Sequence, residues 1–162
     1  LQNRSQTFLT NGLQTSGNLF AQENILIDEI KKIIVLEIEN FRLRFKDSKE
    51  GLIKNWPDTY SLHGWIIRMK NGGALRPHMH ENGWISGSIY INVPPKSNTD
   101  SGSLVVCIDD QDYLIDGKTP HEKIIDVTTG SLCLFPASLL HYTIPFESEE
   151  ERIVLAFDVI PK

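Results

Sequence analysis

One amphipathic helix followed by a run of short strands punctuated by glycine and proline turns predicts a mainly β domain, a sandwich or barrel of antiparallel strands. Two observations carry that prediction. Apolar residues recur every three or four positions between Asn24 and Phe45, and from Leu62 onward they fall on alternate positions instead. The alternating segments are short, and Asn71-Gly72-Gly73, Pro94-Pro95, the polar loop Ser97–Gly102 and Gly130 interrupt them.

The first 24 residues are polar, rich in Asn, Gln, Ser and Thr, with turn signals at Asn11-Gly12 and Ser16-Gly17-Asn18. They are expected to form an arm lying over the domain. Residues 25–46 form the supporting helix. Ile27, Ile30, Ile34, Ile38 and Phe41 make its apolar stripe, with acids early and Arg42, Arg44 and Lys46 late, the polarity a helix dipole favours. Such a helix covers one face of a sheet. Residues 46–61, with Gly51 and Trp56-Pro57-Asp58, read as loop.

Strands then follow at Leu62–Lys70, Arg76–His80 and Trp84–Val93. In the third, Ile85, Ile89, Ile91 and Val93 lie on one side and Ser86, Ser88, Tyr90 and Asn92 on the other. Ser103–Ile108 is a strand, Asp109–His121 an acidic, turn-rich excursion, and Ile124–Val127, Ser131–Phe135, His141–Pro145 and Arg152–Val159 complete about eight strands. No internal repeat or low-complexity tract appears.

A chain of 162 residues suits one domain, residues 1–162, with the strand core at 60–160. Its 40% hydrophobic and 23% charged residues are those of an ordinary globular protein. A net charge of −5 with no basic run gives no footprint for nucleic acid. No apolar stretch has the length of a membrane span, and the polar first residues lack the core of a signal peptide. Cys107 and Cys133 both lie in apolar runs, which predicts buried thiols in place of a disulfide and a cytoplasmic location. The chain begins at Leu1, compatible with a domain of a longer protein.

The chemistry gathers at Arg76-Pro77-His78-Met79-His80-Glu81-Asn82-Gly83-Trp84. On an extended segment His78 and His80 project from the same face and can share one metal ion, since neutral imidazole is the commonest protein ligand for transition metals. Glu81 points the other way. An HxH pair alone is a weak signal. It gains weight from His141, which closes a second stretch of turn, apolar strand and polar end, Gly130-Ser131-Leu132-Cys133-Leu134-Phe135-Pro136-Ala137-Ser138-Leu139-Leu140-His141. Arg152 opens the apolar run Ile153-Val154-Leu155-Ala156-Phe157. An arginine there is costly unless it meets an anion, and its planar fork suits a carboxylate; pairing with Glu149, Glu150 or Glu151 is the plain alternative. His63 and His121 receive no role.

Taken together, HxH followed by Trp84-Ile85-Ser86-Gly87-Ser88-Ile89-Tyr90-Ile91-Asn92, the Gly130–His141 stretch, Pro145-Phe146 and Arg152-Ile153-Val154-Leu155-Ala156-Phe157 resemble the Fe(II)/2-oxoglutarate-dependent oxygenase superfamily, closest to the group with an HxH metal motif in place of HxD. The resemblance covers roughly residues 60–160. It implies a double-stranded β-helix, a jelly-roll, cupin-like barrel with the N-terminal helix packed on one sheet. It implies Fe(II) held by His78, His80 and His141, with 2-oxoglutarate as cosubstrate and Arg152 on its far carboxylate. His80 stands where most of the superfamily has a carboxylate, which leaves the site one unit more positive. Val154 replaces the serine usual two residues after that arginine, so another donor must assist, with Arg68 and Tyr90 the candidates. No catalytic residue is implied beyond the metal ligands. The implied activity is a hydroxylase, coupling O2-driven oxidative decarboxylation of 2-oxoglutarate to C–H abstraction from an unknown substrate, a protein side chain, a small molecule or a nucleobase.

Two other readings compete. The spacing of Gly72, His78 and His80 and of Gly130, Pro136 and His141 fits the start of both cupin motifs, implying a metal-dependent dioxygenase or isomerase without 2-oxoglutarate. That fit then fails, because no Glu lies three or four residues after His80, Ser138 replaces a glycine, and Pro145 replaces an asparagine. The third reading is a non-enzymatic jelly-roll binding module.

Overall fold

In the computed structural model, which describes residues 2–108 and 121–162, the helical period becomes α1 over Ile25–Arg44. Asn24 caps it: its side-chain oxygen accepts from the backbone N–H groups of Leu26 at 2.9 Å and Ile27 at 3.3 Å, meeting two donors that the first turn leaves over. Ile34 and Ile38 are fully buried and pack with Phe20 against Ile85, Leu155, Phe157 and Val159. The helix therefore covers one face of the sheet, as its stripe predicts.

The strands are β1 (Asn3–Arg4), β2 (Leu9–Thr15), β3 (Tyr60–His78), β4 (Ile85–Asn92), β5 (Leu104–Cys107), β6 (Glu122–Ile125), β7 (Leu132–Pro136), β8 (Leu140–Thr143) and β9 (Arg152–Pro161). Among the described residues they make one curled antiparallel sheet in the order β6-β5-β8-β3-β9-β4-β7, with β2 added to β3 and β1 to β2. This is the jelly roll expected. The long β3 joins its two halves, pairing with β9 over Tyr60–Met69 and with β8 over Leu75–His78.

The alternation of side chains decides what each face carries. On β9, Leu155, Phe157 and Val159 point to α1, and Val154 and Ala156 point into the barrel with Arg152. On β4, Ile85 and Ile89 join the helix side, whereas Ser86, Ser88 and Tyr90 line the barrel cavity. Gly87 lets β4 approach β9's apolar face, since a Cβ there would overlap the Phe157 ring. Cys107 is buried and Cys133 half-buried, and neither is in a disulfide.

Three local expectations need correction or extension. Asn71-Gly72-Gly73 bends one strand rather than separating two: Gly72 takes a φ of +71° and donates its N–H to the Phe146 carbonyl at 2.8 Å, so the chain turns without leaving the sheet. The N-terminal segment, expected as an arm lying over the domain, also joins the sheet: Leu9–Thr15 hydrogen-bonds along β3 through backbone groups that a polar sequence leaves unannounced. Residues 46–61 include a helical turn, α2 (Gly51–Lys54), whose Leu52 packs on the α1 side and accepts from the Trp84 indole N–H at 3.1 Å. The expected excursion at residues 109–120 lies outside the described residues.

Candidate metal centre

The bend in β3 brings its end alongside β8, where His78 and His141 are direct partners across the ladder. His80 follows two residues on, beyond the strand, with its N–H donating to the Ala137 carbonyl at 3.0 Å. One ring nitrogen from each of the three histidines falls within 4.8 Å of the others. Ring centroids are 4.3 Å apart for His78 and His141, 4.9 Å for His80 and His141, and 5.2 Å for His78 and His80. Glu81 is exposed next to His80. His63 is exposed and lines the cavity, and His121 is exposed just before β6.

Hydrogen bonding sets which nitrogen faces inward. His78 Nδ1 is 2.8 Å from the Arg76 carbonyl and His141 Nδ1 is 3.1 Å from the Leu139 carbonyl. A carbonyl only accepts, so each Nδ1 must carry its proton and donate it, leaving Nε2 with a free lone pair. His80 Nδ1 lies 2.7 Å from Asp158 Oδ1, which imposes the same tautomer through a carboxylate. All three rings thus present Nε2 as a donor.

The surroundings of His78 and His141 favour the neutral, ligating form. Phe8 stacks on His78 at 5.5 Å between centroids, Phe135 lies 4.9 Å from His141, and Trp65 5.6 Å from His80. Burial, and then the charge of neighbouring His78, push the His141 imidazole down to about 3. Burial likewise holds His78 below its ordinary value, against the Arg76 carbonyl that supports its proton. A metal ion needs unprotonated imidazole, and three convergent Nε2 donors match an iron site, so the residues fit the metal.

Arg152 is 2% exposed inside the same cavity, its guanidinium carbon 5.1 Å from the centre of the Tyr90 ring. It pairs with none of Glu149, Glu150 or Glu151; Glu151 instead meets Arg68. Burial lowers Arg152's pKa, while Tyr90 opposes that shift, and Nε has no hydrogen-bond partner. Tyr90 is itself 1% exposed, and burial pushes its phenol up to about 12, so it stays a neutral donor. A buried guanidinium with an unmet N–H beside a phenol fits a carboxylate ligand. Arg68 does not share that site. It is on the face of β3 that carries Gly64 and Ile66, half exposed, with Nη2 2.5 Å from Glu151 Oε2. The expectation that it assists Arg152 is corrected by this parity.

The cavity measures about 530 Å³, a size usual for small-molecule sites. The three histidines, Arg152 and Tyr90 all line it, and no Asp or Glu does among the described residues. Arg4, Gln6, Phe8 and Gln14 of the N-terminal segment form part of its wall. That wall was illegible in sequence, because only pairing with β3 brings it there. Asp158 was also missed, although an acid inside the apolar strand Ala156-Phe157-Asp158-Val159 carries the same signal that singled out Arg152.

No curated protein sequence matches the chain. Among solved structures it is similar to a prolyl-4-hydroxylase from Pseudomonas putida, with 16% identity over 99% of this chain and 77% of that one and a TM-score of 0.63. HygX from Streptomyces hygroscopicus, with nickel and 2-oxoglutarate bound, gives 14%, 100%, 74% and 0.62 for the same four quantities. The collagen prolyl hydroxylase of Paramecium Bursaria Chlorella virus-1, as its 2OG complex, gives 17%, 94%, 80% and 0.55. Identities this low show a common fold alone. The family model described as "Putative 2OG-Fe(II) oxygenase" matches residues 63–158, which hold His78, His80, His141 and Arg152. With more than half of its length matched, the cupin and binding-module readings give way: the chain belongs to the 2OG-Fe(II) oxygenase family, enzymes that work with Fe(II) and 2-oxoglutarate.

Proposed function

We propose that this protein is a hydroxylase in which His78, His80 and His141 ligate Fe(II) and Arg152, assisted by the Tyr90 hydroxyl, pairs with the 5-carboxylate of 2-oxoglutarate. The observation that carries the reading is that three convergent imidazoles and a buried, incompletely bonded arginine line one cavity without an acid among its described residues. A doubly anionic cosubstrate suits such a lining even in a chain of net charge −5.

Each residue has a separate task. Arg76 and Leu139 carbonyls hold the His78 and His141 rings so that Nε2 faces the shared point. Val154 and Leu104 give the carboxylate end apolar walls that exclude water and strengthen the ion pair. Trp65, Phe8 and the N-terminal segment shape the side from which a substrate approaches. When bound, iron and 2-oxoglutarate supply the oxidation: O2 and the keto acid give succinate and CO2, and one oxygen atom goes to a substrate C–H bond.

A protein side chain or a small molecule is the substrate class we propose; the prolyl hydroxylases and HygX, the latter also solved with hygromycin B, support it only as analogies of fold. The test is succinate release from 2-oxoglutarate by Fe(II)-loaded protein, with and without peptide and small-molecule candidates. Turnover that needs both Fe(II) and 2-oxoglutarate supports the reading; metal-loaded protein that neither binds nor consumes 2-oxoglutarate overturns it.

A further inference from the structure

Asp158 is a buried acid to which the family chemistry gives no task. It is 8% exposed on β9, on the inward face that begins with Arg152 and continues through Val154 and Ala156. Its Oδ1 accepts from Ser86 Oγ at 2.7 Å and from His80 Nδ1 at 2.7 Å. Ser86 Oγ also lies 3.1 Å from His80 Nδ1, closing a three-membered cluster. No lysine or arginine pairs with Asp158 among the described residues. Room beside it depends on Gly83, where a Cβ would come within 3.4 Å of the Asp158 carboxyl and 2.8 Å of Ala137.

A carboxylate removed from water is expensive unless positive charge balances it. Among the described residues the one ionisable partner it meets is the His80 ring, which leads to the centre where the three Nε2 atoms converge and where a metal ion would supply that charge. We infer that Asp158 is a positioning residue that supplies, one imidazole farther out, the negative charge that an HxD motif places directly on the metal. The inference rests on the three-histidine reading above. Three neutral imidazoles plus Asp158 carry the same net −1 as two imidazoles plus a ligating carboxylate, and a carboxylate on Nδ1–H makes Nε2 a stronger donor. An asparagine in its place would keep a hydrogen bond to the ring and lose the charge, so Asp158→Asn separates charge from geometry.

The experiment is an anaerobic Co(II) titration followed by visible ligand-field absorption, on the parent, Asp158→Asn, His80→Asp and the double variant. The parent is expected to bind one Co(II). Asp158→Asn is expected to bind it about 10–100-fold more weakly with an altered band. In the His80→Asp background the charge already touches the metal, so adding Asp158→Asn should change affinity by less than about threefold or tighten it. Parent-like binding by Asp158→Asn, or the same loss in both backgrounds, overturns the inference. Should circular dichroism show Asp158→Asn unfolded, Ser86→Ala decides: it keeps the charge and frees Asp158 for His80 alone, so equal or tighter Co(II) binding supports the inference and a loss of more than about threefold overturns it. A parent that binds no Co(II) overturns the three-histidine reading itself, which distinguishes the two failures.

Discussion

Arg68 and Arg152 stand on paired strands and face opposite sides of the sheet. Across the β3–β9 ladder Arg68 is opposite Ile153, and Arg152 is opposite Met69, one step along. That single step sends Arg68 outward to Glu151 and Arg152 into the cavity, 2% exposed above Tyr90. Removing one partner of a desolvated charge pair costs about 2–5 kcal/mol, so Arg152→Ala should weaken 2-oxoglutarate binding by roughly thirty-fold or more. Arg152→Lys should rescue only in part, lacking the fork. Arg68→Ala removes an exposed pair worth about 0–1 kcal/mol and should leave that affinity within about threefold. Anaerobic 2-oxoglutarate titration of metal-loaded protein measures all three; equal behaviour of the two alanine variants would contradict the assignment.

Replacing His78 and His141 together with alanine should abolish stoichiometric metal binding, because it removes the two donors that the β3–β8 pairing sets opposite each other. His80→Asp should retain metal, as an HxD site does, and His80→Ala should weaken it. Metal analysis after equilibrium dialysis reads each outcome. Full occupancy in the double variant would rule out this site.

The metal-free protein should lose stability in acid through these same rings. His78 and His141 are held below the ordinary 6.5 in the folded state, His141 down to about 3. As pH falls below 6.5 the unfolded chain takes up protons that the folded chain refuses, so unfolding becomes easier, and for His141 the loss continues until pH approaches 3. Thermal melts between pH 7 and 4 should therefore show a falling midpoint, with a shallower slope in His141→Asn. Identical slopes in the two proteins would contradict the burial of His141.

Gly87→Ala should destabilise the fold by about 1–3 kcal/mol, the cost of overpacking, because the new methyl would run into the Phe157 ring. Pairing it with Phe157→Leu should recover part of that loss. Urea unfolding checks both, and a Gly87→Ala variant as stable as the parent would mean that β4 and β9 do not meet on this face.

Helix α1 and the two faces of β4 were readable because their signals are local. The stripe of Ile34 and Ile38 and the alternation of Ser86, Ser88 and Tyr90 against Ile85 and Ile89 need only the helical and strand periods. The histidines were readable as donors from residue type, and Arg152 from the cost of a charge in an apolar run. The pairing of the N-terminal segment was not readable because strand β2 is held by backbone hydrogen bonds, which leave no side-chain pattern. The unbroken β3 was misjudged because a glycine bend inside a strand and a turn between strands have the same composition at Asn71-Gly72-Gly73.

Residue type and strand parity belong to the sequence by itself: it determined which side chains share a face, since neighbours two apart on an extended chain always do. It could not determine which faces meet. His78 opposes His141, Arg68 turns away while Tyr90 turns in, and Asp158 reaches His80 from 78 residues away. Those relationships follow from strand order and register in a curled sheet. They are settled by the packing of the whole barrel, because pairing between distant strands is selected by the total apolar area that one register buries and not by any signal local to the residues it brings together.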